Sequence, residues 1–182
     1  MQDFADRPGA ALVAGGTGGI GRAVCRMLAE RGSDVAFMFR RSGAAAADLA
    51  TELSALGAKV LSLQVELSDS AAVAGGVDAV IESFGALHTL VYAAGPHVPM
   101  LHLSRVTPAQ FRDQLVGDAG AFFNLVHPAL PRLRESRGSI VAVTTAATRR
   151  FPVRDGLSAG PKVRSRPSCG AWRPRRDGSV CA

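Results

Sequence analysis

Tyrosine occurs once in this chain, at Tyr92, and lysine twice, at Lys59 and Lys162. A phenol is a common proton donor in enzymes, so a single tyrosine leaves little of that chemistry to draw on. Cysteine is scarce too. Cys25, Cys169 and Cys181 are odd in number and have no metal-ligand spacing. A disulfide framework and a zinc site are therefore not expected, and a reducing cytoplasm fits. The four histidines, His88, His97, His102 and His127, also lack metal spacing and read as surface or loop residues. The start, Met1-Gln-Asp-Phe-Ala-Asp-Arg-Pro, has no apolar core of the kind a secretory signal needs. The apolar stretch from Ala10 is rich in glycine and interrupted by Arg22 and Arg26, so no membrane span is expected. No internal repeat is visible.

The composition is that of an ordinary soluble domain: 182 residues, 47% apolar and 20% charged. One domain is expected, large enough for a real core. The net charge of +6 is unevenly placed. Residues 163–182 hold five Arg and one Asp, so most of the basic excess belongs to that stretch and argues only weakly for nucleic-acid binding.

Short apolar runs alternate with segments of helical period, the pattern of a parallel α/β sheet. Strands are expected at Ala10–Ala14, Asp34–Phe39, Lys59–Val65, His88–Ala93 and Ser139–Thr144. Ile20, Val24, Met27 and Leu28 mark one face of a first helix that ends at Gly32. A second helix is expected at Ala44–Leu56. Ser68 or Asp69 can cap a third, whose core face is Val73, Val77, Val80, Ile81 and Phe84. The fourth opens on Thr107-Pro-Ala-Gln110, a capping box with proline at N1. It should run to about Leu125, with Pro128 and Pro131 near its end. The fold class implied is a Rossmann-type doubly wound sheet of about five strands, ordered 3-2-1-4-5.

The loop Gly15-Gly-Thr-Gly-Gly-Ile-Gly21 follows a strand and opens a helix. Glycines there permit a tight turn and close approach of backbone to a pyrophosphate, and the helix N-terminus offers free N–H groups. The spacing alone is ambiguous. Gly16, Gly18 and Gly21 fit one fingerprint, Gly15, Gly18 and Gly21 a second, and Gly15, Gly19 and Gly21 a third. The second strand ends Phe39-Arg40-Arg41-Ser42 with no acid to receive ribose hydroxyls, whereas arginine accommodates a 2′-phosphate. NADP is therefore expected over NAD, with Arg40 or Arg41 as the clamp.

These features resemble the short-chain dehydrogenase/reductase family over roughly residues 10–162. The resemblance implies cofactor contacts at Gly15, Thr17, Gly19, Ile20 and Gly21. It places Glu66, which precedes Ser68-Asp69, near the adenine. The family's Asn-Asn-Ala-Gly after the fourth strand is here Tyr92-Ala-Ala94-Gly95, where Ala94 and Gly95 leave room for the cofactor. Pro96-His97 is similar to the start of a substrate-side loop, and His97 is the one histidine placed near a substrate.

The resemblance also assigns catalytic positions. Asp118 stands where the family carries an Asn supporting a proton relay. It lies on the apolar seam between Leu115 and Phe122, so its carboxylate is either hydrogen-bonded there or turned to solvent. Thr145 stands at the catalytic serine and keeps the hydroxyl. The family tyrosine falls on Ser158 and the family lysine on Lys162. Serine is shorter and far less acidic than tyrosine. The wider spacing of related enoyl reductases lands on Asp155, again not tyrosine. Pro161 conflicts with a helix interior and leaves the start of the helix carrying Lys162 open.

After Lys162 the character changes. Residues 163–182 have no periodicity and hold the only Trp and two of the three Cys. They read either as a disordered basic tail, with the nucleotide-binding domain at 1–162, or as residues translated in a shifted frame of GC-rich DNA. The second reading makes the chain a truncated reductase that lacks about two βα units of roughly 30 residues each, and it leaves the fifth strand as an exposed edge.

The resemblance implies an NADP-dependent oxidoreductase that reduces a carbonyl, of the 3-oxoacyl type, by hydride transfer. Its substrate would be a small-molecule carbonyl or an acyl-carrier-bound one, and the family forms homo-oligomers. No nucleic-acid partner, membrane or metal is expected. The alternative is a non-catalytic nucleotide-binding remnant or partner subunit of the same fold.

Overall fold

The computed structural model describes residues 3–145, 154, 155 and 157. Its centre is a five-stranded parallel sheet in the order β3-β2-β1-β4-β5. The strands are β1 (Ala10–Ala14), β2 (Asp34–Phe39), β3 (Val60–Gln64), β4 (Leu87–Tyr92) and β5 (Ser139–Ala142). Each lies within a residue or two of its expected bounds. The helices are α1 (Gly19–Glu30), α2 (Gly43–Ala55), α3 (Ser70–Phe84), α4 (Pro108–Leu115) and α5 (Ala121–Glu135).

All five residues of β1 are fully buried, because parallel strands joined by crossover helices are covered on both faces. The alternation of the strand divides the core. Ala11 and Val13 pack with Cys25, Leu28, Leu49 and Leu53 of α1 and α2, while Leu12 and Ala14 pack with Val73, Val77, Leu125 and Val126 of α3 and α5. Cys25 is one of these packed groups, and burial pushes its thiol up to about 12. It behaves as a small apolar side chain rather than a nucleophile.

The caps follow the sequence. Asp69, not Ser68, caps α3, accepting hydrogen bonds from the N–H groups of Ala71 and Ala72, both at 3.0 Å. Both halves of the capping box at Thr107 and Gln110 form. On α3, Val73, Val77 and Val80 are buried, with Ile81 and Phe84 packed around them.

Two expectations require correction. The fourth helix does not stop near Leu125. Winding continues from α4 through a π-turn at Val116–Gly120 into α5, which carries Pro128 and Pro131 in its interior. Each proline removes one backbone hydrogen bond. Burial of Leu125, Val126, Ala129 and Leu133 on the opposite face holds the helix regardless. His88 is not a surface or loop residue. It is fully buried at the start of β4, where the register with β1 slips by one residue. Its Nδ1 lies 2.9 Å from Thr89 Oγ1, its Nε2 lies 3.3 Å from Ser33 Oγ, and Phe4 stacks on its ring. Desolvation lowers its pKa to about 4, with the Arg7 charge acting in the same direction.

Among the described residues, no helix is long and apolar enough to cross a membrane. Positions 163–182, Ser158 and Lys162 lie outside the described residues.

Candidate functional site

The carboxyl ends of β1 to β4 open onto one cleft of about 670 Å³. That volume suits a small organic ligand or cofactor. It is also where open parallel sheets bind ligands, at the point where the strand order reverses, here between β1 and β4.

The floor is built by backbone. The N–H groups of Gly15 and Gly16 both donate to the Met38 carbonyl, at 2.9 and 3.1 Å, so the loop folds back over the end of β2. Gly15 has φ +84°, and a Cβ there would sit 2.9 Å from the Ala94 backbone. A Cβ on Gly21 would lie 2.1 Å from the Gly15 carbonyl oxygen. The fold itself therefore demands glycine at 15 and 21. A Cβ on Gly16 would strike the Phe37 ring, whereas a Cβ on Gly19 would meet nothing within 4 Å.

That open space lies at the start of α1, two residues before the expected end of the glycine loop. Helix α1 has Gly18 at its N-cap, no side chain capping it and no acidic residue in its first turn. Its leading N–H groups and positive dipole end are thus available to an anion. Arg22 and Arg26 of the same helix both bond to Glu52 of α2, fixing the helix against its neighbour.

Most of the cofactor positions read from the sequence meet in this cleft. Gly15, Thr17, Arg40, Arg41, Glu66, Ala94 and Gly95 all line it. Gly19, Ile20 and Gly21 form the adjoining first turn of α1, where the Ile20 side chain is 57% exposed. Glu66 faces Arg40 across the ends of β2 and β3, Oε2 to Nη1 at 3.9 Å. A neutral lining of Ala94 and Gly95 on one side and two guanidinium groups on the other fit a dinucleotide with its phosphates.

The catalytic positions are placed less completely. Asp118 is buried within the π-turn rather than turned to solvent. Its backbone carbonyl accepts a hydrogen bond from the Tyr92 hydroxyl at 3.1 Å. Thr145 is half-buried three residues beyond β5, and the Val143 N–H bonds to the Tyr92 carbonyl at 2.9 Å, aligning that segment with the end of β4. Asp155 is half-buried.

Sequence reasoning did not find five contributors. Tyr92 lines the cleft with its hydroxyl committed inward, and burial drives its pKa well above the usual phenol value, with the Asp118 charge adding to the rise. A phenol so held is a structural donor and a poor acid. Asn124 donates from Nδ2 to the carbonyls of Leu67 and Ser68, at 3.0 and 3.3 Å, pinning the β3–α3 loop that carries the cleft wall. Asp113, Val116 and Gly117 also line the cleft. Helical periodicity could not reveal them, because the π-turn alters which face α4 presents.

Residues 9–155 match the family described as short chain dehydrogenase. Among curated relatives, the chain is 31% identical to the 3-oxoacyl-acyl-carrier-protein reductase FabG of Staphylococcus aureus, over 74% of this chain and 55% of that protein. It is 32% identical to versicolorin reductase stcU of Emericella nidulans, over 84% of this chain and 57% of the other. The chain thus spans about half the length of the curated relatives it matches. A short chain dehydrogenase from Burkholderia cenocepacia in complex with NADP superposes with a TM-score of 0.79 at 30% identity, covering 87% of this chain and 64% of that one. An NADH-dependent reductase complexed with NAD shares the fold, with a TM-score of 0.84 at 22% identity over 93% of this chain and 73% of the other.

Proposed function

Since the chain belongs to the short-chain dehydrogenase/reductase family, we propose that it holds NADPH in the cleft at the strand ends and reduces a carbonyl of the 3-oxoacyl type. The observation that carries this reading is the pairing of an uncapped α1 N-terminus with Arg40 and Arg41 on the same cleft. The first suits a pyrophosphate, and the second suits a 2′-phosphate in the absence of an acid at the β2 end. Open space at Gly19 leaves the backbone free to approach the phosphates.

When bound, the nicotinamide supplies a hydride to the carbonyl carbon. The chain's own part is to position and to protonate. Thr145 orients the carbonyl through its hydroxyl, and Lys162 holds the nicotinamide ribose. Asp118, buried beside the cleft wall, supports delivery of a proton. Ser158 stands in place of a phenolic acid, either as a weak donor or as the site of a donor water. The substrate is a small carbonyl compound or an acyl thioester on a carrier, and the setting is cytoplasmic.

A second reading, binding without turnover, draws on one observation. The only tyrosine has its hydroxyl bonded to the Asp118 carbonyl and its pKa raised by burial, so it is no substitute for the missing acid. Assay of the purified chain with NADPH and a 3-oxoacyl thioester separates the two. Turnover that is abolished in Lys162→Ala supports the reductase. NADPH binding with no oxidation of cofactor over hours supports the binding protein.

A further inference from the structure

The two arginines at the end of β2 stand in different electrostatic settings. Arg40 faces Glu66 at 3.9 Å, with both side chains about half exposed. Its backbone is tied to β3 as well, because Gln64 Nε2 donates to the Arg40 carbonyl at 3.0 Å. The other oxygen of Glu66 accepts from the Ser68 N–H at 3.5 Å. Among the described residues, Arg41 makes no ion pair. All three side chains line the same cleft.

We propose that Glu66 is a specificity-determining residue of the cofactor site, one that keeps the preference for NADPH over NADH shallow by occupying Arg40. The inference rests on the dinucleotide reading above. Arg41 is then the guanidinium that takes a 2′-phosphate. Arg40 is available only by giving up its carboxylate partner, which also repels a phosphate dianion placed between them. A neutral ribose 2′-hydroxyl meets the opposite situation. It loses nothing from the pairing and gains a carboxylate able to accept its hydrogen bond. The arginines favour NADPH, the carboxylate opposes them, and the net discrimination is the difference between two affinities.

Because the pair is half exposed, its effect is modest in size and screened by salt. The test is titration of the full chain with NADPH and with NADH, followed by nicotinamide fluorescence at low salt, for the native protein and for Glu66→Gln, Arg40→Ala and Arg41→Ala. Glu66→Gln keeps the shape and removes the charge. It should tighten NADPH by about fivefold and change NADH by less than about twofold. Arg41→Ala should weaken NADPH by about tenfold or more, and Arg40→Ala should weaken it less. An unchanged NADPH-to-NADH ratio in Glu66→Gln overturns the assignment. Equal weakening of both cofactors also overturns it, since Glu66 would then serve only the shared adenosine. If the native chain binds neither nucleotide, the dinucleotide reading itself fails, and this assignment with it.

Discussion

The sheet has two unlike ends. In β1 every residue is fully buried and the following loop is constrained by backbone contacts, down to the 2.1 Å that separates a Gly21 Cβ from the Gly15 oxygen. In β5 exposed and half-buried residues alternate, with Val141 at 51% exposure, and the segment after it leads to Thr145. One end is specified by sterics and packing shared among many residues. The other has no fully buried residue, so few contacts specify it. The glycine loop can thus stay fixed while the segment beyond the edge strand varies, because different interactions maintain the two.

The sharpest way to break this comparison is at the glycine loop. Gly21→Val should unfold the domain or cost more than about 3 kcal/mol in urea denaturation, since a backbone carbonyl cannot yield to the new side chain. Gly19→Ala has open space for its methyl. It should leave the unfolding midpoint nearly unchanged while weakening NADPH. Equal stability losses at the two positions would refute the division between fold and binding.

Core truncation sharpens the contrast next. Leu125→Ala, at a fully buried site, should cost about 2–5 kcal/mol by chemical denaturation. Val141→Ala on β5 should stay within about 0.5 kcal/mol, as surface changes do. A large loss at Val141 would show that β5 is as firmly packed as β1.

Acid provides a third probe, centred on His88. Its folded pKa of about 4 lies below the ordinary imidazole value of 6.5, so folding favours the neutral ring. That contribution is fully present above pH 6.5 and drains away as pH falls toward 4. The loss should approach about 3 kcal/mol, and the stability of His88→Gln should fall less steeply than that of the native chain between pH 6.5 and 4. A smaller loss than that of the core truncation belongs to Tyr92→Phe, which deletes the bond to the Asp118 carbonyl. About 1 kcal/mol of stability should go, with NADPH affinity little changed.

Local signals were legible in advance. The five strands, the capping box at Thr107 and the glycine loop each depend on residues close together in sequence. Contacts between distant residues were not. Gly16 is constrained by Phe37, His88 is covered by Phe4 and Ser33, and Asn124 bonds to the carbonyls of Leu67 and Ser68. The three glycine fingerprints could not be ranked by spacing because the deciding atoms are a carbonyl in the loop and the Ala94 backbone. Prolines at 128 and 131 suggested a stop, yet burial of the opposite face outweighed them.

The π-turn at Val116–Gly120 has a consequence for how this protein tolerates changes of length. Such a turn winds more slowly than the α-helix around it, much as one extra residue slipped into the spiral would make it. Each α-helical residue advances about 100°, so α4 is rotated out of phase with α5. Asp113 and Val116 meet the cleft for that reason, while Leu125 and Val126 remain in the core. Loss of a single residue here would restore even winding and swing a different row of side chains over the cleft, with the core left in place. Most helices carry orientation unaltered from end to end; this one contains a gear change, and indels at this point are a route by which the cleft wall is re-dealt in one step.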